Sequence, residues 1–174
     1  LLGGPVKPDI PVYASALHPV GAEKVQAEAK AYVEEGYQAM KMRFPYGPGH
    51  GIAGMRANEE HVANVRDAVG DDIEIMADAY MGWDADVARE MARRLEEFDI
   101  YWFAVLLTPD ELEATAALRD ARQASLVAGG EHEFTRYGLA DIARTGALDV
   151  WQPDVTWCGG ITEALRILDL AAEH

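Results

Sequence analysis

Two cations one residue apart, Lys41-Met42-Arg43, lie in the run AMKMRF, and alternation along an extended strand sends both to the same face. Asp78 closes the apolar run IEIMAD, where a bare carboxylate is costly unless it is paired or bound to a metal. Glu131-His132-Glu133 follows ASLVAGG, and Asp154 follows DVWQP. Carboxylates beside cations at the ends of successive apolar runs make a candidate hard-cation site, and all-oxygen ligation favours Mg²⁺ over Zn²⁺. Each residue alone reads equally as a helix cap or a surface ion pair. Their recurrence at four run ends is what favours a shared site.

Other residues carry weaker signals. On an extended segment His132 points away from its neighbour Glu131, so it reads as a hydrogen-bonding loop histidine and a candidate substrate contact. Tyr46 and His50 lie in the stretch PYGPGHGIAGMRANEEH, rich in Gly and Pro, and are further candidate substrate contacts. That stretch reads as a long loop, either a pocket wall or lid or an ordinary surface loop. His18 and His61 are isolated. Cys158 reads as a packed small residue, since no base has the spacing to activate it. The Gly159-Gly160 turn either binds an anion through backbone N–H groups or is a tight turn.

The elements that must hold these residues alternate. Strands are expected over Ile10–Leu17, Ala39–Phe44, Asp72–Tyr80, Ile100–Leu107, Ala124–Gly130 and Leu148–Val155. Helices are expected over Ala22–Glu35, Glu59–Val69, Ala85–Phe98, Asp110–Ala121, Thr135–Thr145 and Thr162–Glu173, with faces such as Val87, Met91, Leu95 and Phe98. Six βα units in a row without a hairpin signal imply a parallel sheet. It could be a doubly wound open sheet or a (β/α) barrel. No GxGxxG or P-loop follows the first strand, and the polar residues gather at strand carboxyl ends, which favours the barrel.

Composition narrows the function classes. The chain has 174 residues, 49% of them hydrophobic, enough for one sizeable core. Its net charge of −15 argues against nucleic acid and anionic membranes as partners. The scarcity of lysine fits either a halophilic cytoplasm or an ordinary acidic enzyme. No apolar run is long enough to span a bilayer, and the single cysteine fits a reducing, cytoplasmic compartment.

Four motifs, KMRFPYGP, MADAYM, GGEHEFTRYG and QPDVTWCGG, make the chain resemble the enolase superfamily, in particular the mandelate racemase subgroup and its rhamnonate-type acid-sugar dehydratases. The resemblance implies a TIM-type (β/α)7β barrel, of which this chain holds about six βα units. Residues 1–9 are then expected to be a linker from a capping domain, and residues 10–174 a partial barrel catalytic domain. It also implies a Mg²⁺ cofactor, a small acid sugar as substrate and a homo-oligomer for the longer parent. A six-strand segment with open edges is expected to associate.

Within that resemblance, Asp78 and Glu131 match the first and last of three metal-binding carboxylates. Lys41 and Arg43 match the second-strand cation pair, and Asp154 matches an Asp that orients a catalytic histidine on a seventh strand. The implied reaction removes the proton α to a carboxylate and then eliminates the β-hydroxyl, giving a 2-keto-3-deoxy acid. An Arg side chain is a poor general base, which suits a dehydratase better than a racemase and leaves Lys41 as the candidate base on that face. One stretch departs. Where the family reads W-[IF]-E-E-P-L-x-P, this chain reads WFAVLLTP over residues 102–109, so Ala104 stands at the middle ligand position.

Overall fold

The computed structural model describes residue 4, residues 9–121 and residues 124–174. Most of the linker expected over residues 1–9 lies outside the described residues. The elements run β1 (Ala14–Ser15), α1 (Ala22–Glu34), β2 (Ala39–Arg43), α2 (Gly51–Val69), β3 (Glu74–Asp78), α3 (Ala85–Arg94), β4 (Ile100–Ala104), α4 (Leu112–Ala121), β5 (Leu126–Gly129), α5 (Thr135–Thr145), β6 (Val150–Trp151) and α6 (Ile161–Ala171). All strand pairings are parallel, and the six strands neighbour one another in chain order.

That order decides between the two closures. Right-handed crossovers without a reversal of strand order put every helix on the same face of the sheet. The sheet must then curl around its other face, as a barrel does. The curl is seen directly: Gln152 Nε2, just past β6, donates to the Tyr13 hydroxyl beside β1 at 3.3 Å, between the first and last strands.

Alternation along the strands builds two cores. Met40, Met42, Ile75, Ala77 and Phe103 face the helices and join Val25, Val62, Val65, Met91 and Leu118. Met76, Trp102, Ala104 and Ala128 face inward, with Tyr13, Ala39, Leu126 and Val150 packed against them. The inward face is the one on which Lys41, Arg43 and Asp78 stand.

Three expectations are corrected. The long loop after β2 is mostly helix: a 3₁₀ turn at Pro48–His50 runs into α2, which starts eight residues before the expected Glu59. Gly54 allows this, because a Cβ there would overlap the His50 side chain. Asn58 fixes it, donating to Tyr46 O at 2.8 Å and accepting from Tyr46 N at 3.3 Å. The first strand shrinks to Ala14–Ser15, since Ile10 and Val12 are 79% and 69% exposed and have nothing to pack on. The sixth strand is Val150–Trp151 only, because Asp154 draws the chain into a turn.

α3 shows how local sequence sets an element. Asp84 caps its start by accepting from Val87 N at 2.8 Å, Arg93 and Arg94 occupy its last turn, and Val87, Ala88 and Met91 form the buried face.

Candidate active site

The strand register lines up a row of side chains at the carboxyl end of the sheet. Arg43 pairs with Asp78, Asp78 with Ala104, Ala104 with Ala128, and Ala128 with Val150. The row therefore reads cation, carboxylate, methyl, methyl, isopropyl. Lys41 lies one inward position deeper, in register with Met76 and, through it, with Trp102.

Asp78 is 1% exposed. Its Oδ1 accepts from Tyr80 N at 2.9 Å. Its Oδ2 lies 2.9 Å from Lys41 Nζ and 4.0 Å from an Arg43 guanidinium nitrogen. The Lys41 contact is an ion pair without hydrogen-bond alignment, since Oδ2 has no hydrogen-bond partner. Lys41 is buried too, at 5% exposed, and its ammonium lies 5.9 Å from the Tyr13 ring centroid. Arg43 is the outer cation, with its side chain 38% exposed and its guanidinium 5.5 Å from the Tyr80 ring.

Beyond β5 the chain turns at Gly130, whose φ of +98° suits glycine. The next residues are not extended, which corrects the expectation that Glu131 and His132 diverge. Their side chains converge, with His132 Nε2 3.6 Å from Glu131 Oε1, too long for a hydrogen bond. The His132 ring packs edge-on against Tyr80 at 5.6 Å and Trp157 at 6.1 Å. Tyr80 thus stands between Arg43 and His132. Burial pushes the Glu133 carboxyl above its ordinary range, and Asp141 adds to the push.

The remaining candidates are held locally. Asp154 Oδ1 accepts from Thr156 Oγ1 at 2.6 Å, Thr156 N at 2.8 Å and Trp157 N at 3.1 Å, and the Thr156 hydroxyl leads in holding its carboxyl below the usual range. Tyr46 and His50 stack edge-on at 5.0 Å, and His50 Nδ1 lies 3.3 Å from Gly47 N. Cys158 is buried among Leu139, Ile142 and Ile167, as a packed residue.

Sequence reasoning missed Tyr13, Tyr80, Trp102 and Gln152. An aromatic two residues beyond an apolar run was the available signal for Tyr80. Its φ of +47°, with Met81 at +61° and Val105 at +47°, is uncommon for residues other than glycine and visible only in the structure. Trp102 Nε1 and Gln152 Oε1 are buried without partners on the inner face.

These residues do not fit a three-carboxylate Mg²⁺ site. Mg²⁺ demands near-octahedral oxygen ligation. Asp78 Oδ2 is a buried oxygen with spare capacity, but Ala104 and Ala128 beside it supply none, Glu131 beyond β5 has its Oε1 turned to His132 Nε2 at 3.6 Å, and an ammonium faces Asp78. Among the described residues no three His, Cys, Asp or Glu side chains come together as a metal group. No helix among them is long and apolar enough to cross a membrane.

Known proteins match both sequence and fold. The L-rhamnonate dehydratase of Saccharopolyspora erythraea is 37% identical over the whole of this chain, which spans 42% of that protein's length. The rhamnonate dehydratase of Gibberella zeae in complex with Mg superposes with a TM-score of 0.79 and 33% identity, over 92% of this chain and 37% of that one. The 3,6-anhydro-D-galactonate cycloisomerase of Zobellia galactanivorans superposes with a TM-score of 0.84 and 28% identity, over 92% and 43%. Residues 24–174 match the family described as enolase C-terminal domain-like, so a part of the enolase-superfamily barrel is what the strand order, the inward cations and the sequence all describe, and the chain belongs to that family.

Proposed function

We propose that the protein is an acid-sugar (aldonate) dehydratase of this superfamily, with this chain supplying the first six βα units of its barrel mouth. The carrying observation is the Lys41–Asp78–Arg43 cluster on the inner face at the strand carboxyl ends, in a chain 37% identical to an L-rhamnonate dehydratase. The histidine that Asp154 positions takes the proton α to the carboxylate, and the C–H electron pair forms an enediolate. The enediolate pair then expels the β-hydroxyl, which takes a proton from the same imidazolium and leaves as water, and the enol tautomerises to a 2-keto-3-deoxy acid. Arg43, partly exposed and permanently charged, suits the substrate carboxylate. Lys41 places positive charge where the enediolate gains negative charge. Asp154 is assigned the positioning of a histidine from a following strand, Asp78 and Glu131 are the two carboxylates left of the family's metal set, and His132, Tyr46 and His50 are assigned the substrate hydroxyls. In the family Mg²⁺ would stabilise the enediolate, but no step is assigned to it in this chain because Ala104 leaves its ligand set incomplete.

The test is a screen of aldonates with this chain and with Ala104→Glu/Val105→Glu, reading 2-keto-3-deoxy acid formation. Product from the double variant, joined to a seventh strand, supports the reading. Epimerised or cyclised product without loss of water would replace it with a racemase or cycloisomerase, classes that structural neighbours also represent. A second reading, a non-catalytic barrel remnant, is favoured by Ala104 itself. It predicts binding without turnover.

A further inference from the structure

The mismatch between the expected cofactor and the residues present has its own chemical content. In the mouth row β4 and β5 contribute only the methyl groups of Ala104 and Ala128, so Asp78 is its single carboxylate. That carboxylate faces two cations, Lys41 Nζ at 2.9 Å and Arg43 at 4.0 Å. A divalent ion bound to Asp78 Oδ2 would sit about 2.0–2.1 Å from it. It would stand against a buried ammonium, with no second anion from the row to offset the repulsion. Within the cluster of Lys41, Arg43 and Asp78 the carboxylate is already answered by Lys41, and Arg43 remains over.

We propose that in this chain the Lys41 ammonium takes the place of the divalent cation, and that the mouth binds the carboxylate of a small organic anion through Arg43 without metal. The proposal rests on the mouth being the carboxylate site of the function proposed above, but it does not require turnover. Arg43 is placed for the task. It is the half-exposed member of the cluster, and the Tyr80 ring, itself held against His132, braces its guanidinium. Lys41 is enclosed by Tyr13 and Asp78 and cannot leave the anion's side without being desolvated unpaired.

Calorimetry on the 174-residue chain tests it, with L-rhamnonate as the probe anion, in EDTA and in about 5 mM MgCl₂. The expected result is binding of equal affinity in both buffers, weakened about tenfold or more by Arg43→Gln, and no heat from Mg²⁺ alone. Asp78→Asn gives the sign test. It removes the carboxylate that competes for both cations, so anion affinity should rise, whereas at a metal site it would fall. Thermal midpoints of both variants, read first, establish that each is folded at the assay temperature. Binding that requires Mg²⁺, Mg²⁺ heat lost in Asp78→Asn, or no anion binding in either buffer would each overturn the proposal. Metal binding gained by Ala104→Glu/Val105→Glu reports separately on the dehydratase lineage and leaves this outcome unaffected.

Discussion

The buried pair Lys41–Asp78 should behave as a strongly coupled unit, and its coupling can be worked out from the geometry. Their side chains are 7% and 1% exposed and lie 2.9 Å apart. Removing one partner of such a buried pair typically costs about 3–5 kcal/mol, because the other charge stays buried. Lys41→Met should fall near the low end, since Arg43 remains 4.0 Å from the carboxylate. Asp78→Asn keeps an oxygen for Tyr80 N but leaves the ammonium facing a neutral amide, so about 3 kcal/mol or more is expected. The double variant buries no charge from this pair and should be less destabilised than the sum of the two. Urea unfolding at constant m, run as a double-mutant cycle, should give a coupling of about 2–3 kcal/mol, the upper part of the range for contacting residues. Single costs below about 1 kcal/mol that add within about 0.5 kcal/mol would place the pair in the exposed regime and refute the enclosed cluster.

Three further outcomes are expected. A Cβ on Gly47 would overlap the Gly82 carbonyl oxygen, so the loops after β2 and β3 would have to part; Gly47→Ala should lower the urea midpoint by an equivalent of about 1–3 kcal/mol. Burial lowers the pKa of His61, outweighing its contact with Leu17 O at 3.2 Å. The unfolded chain then binds more protons just below pH ~6.5, so stability should be full above that pH and fall as pH drops through the window beneath it. Glu133, with its carboxyl raised by burial, contributes the opposite slope as pH rises through its range. The difference in urea midpoint between the parent and His61→Gln, followed from pH 7.5 to 5, isolates the histidine, and a difference that does not change with pH would contradict its burial in neutral form. Finally, β1 and β6 each have one strand neighbour among the described residues, and α6 exposes Ile161, Leu165 and Leu168. Size-exclusion chromatography should show concentration-dependent association, and a clean monomer at every concentration would contradict it.

The six βα units were legible because period-2 and period-3.6 apolar spacing differ so clearly here, as in the AMKMRF run of β2 against the Val87, Ala88 and Met91 face of α3. The pairing of Lys41 with Arg43 on one face followed from the same alternation. What was not legible depended on tertiary contact. The start of α2 looked like loop because its glycines carry the signal of a breaker, while the Asn58 bridge to Tyr46 that holds the helix is a contact between residues twelve apart. The convergence of Glu131 and His132 depended on the left-handed Gly130. The place of Asp78 within the mouth row depended on strand register, which no single strand encodes. Ala104 was visible as a departure in the sequence; that it lies directly beside Asp78 in the row, with Ala128 next, needed the sheet.

Mg²⁺ calorimetry on this chain beside Ala104→Glu/Val105→Glu tests the metal-free mouth most directly. No binding by the parent and millimolar or tighter binding by the double variant are expected, because the substitutions put carboxylate oxygen back beside Asp78. Mg²⁺ binding by the parent that disappears in Asp78→Asn would contradict a metal-free mouth, since Lys41 would then have yielded its place to the metal.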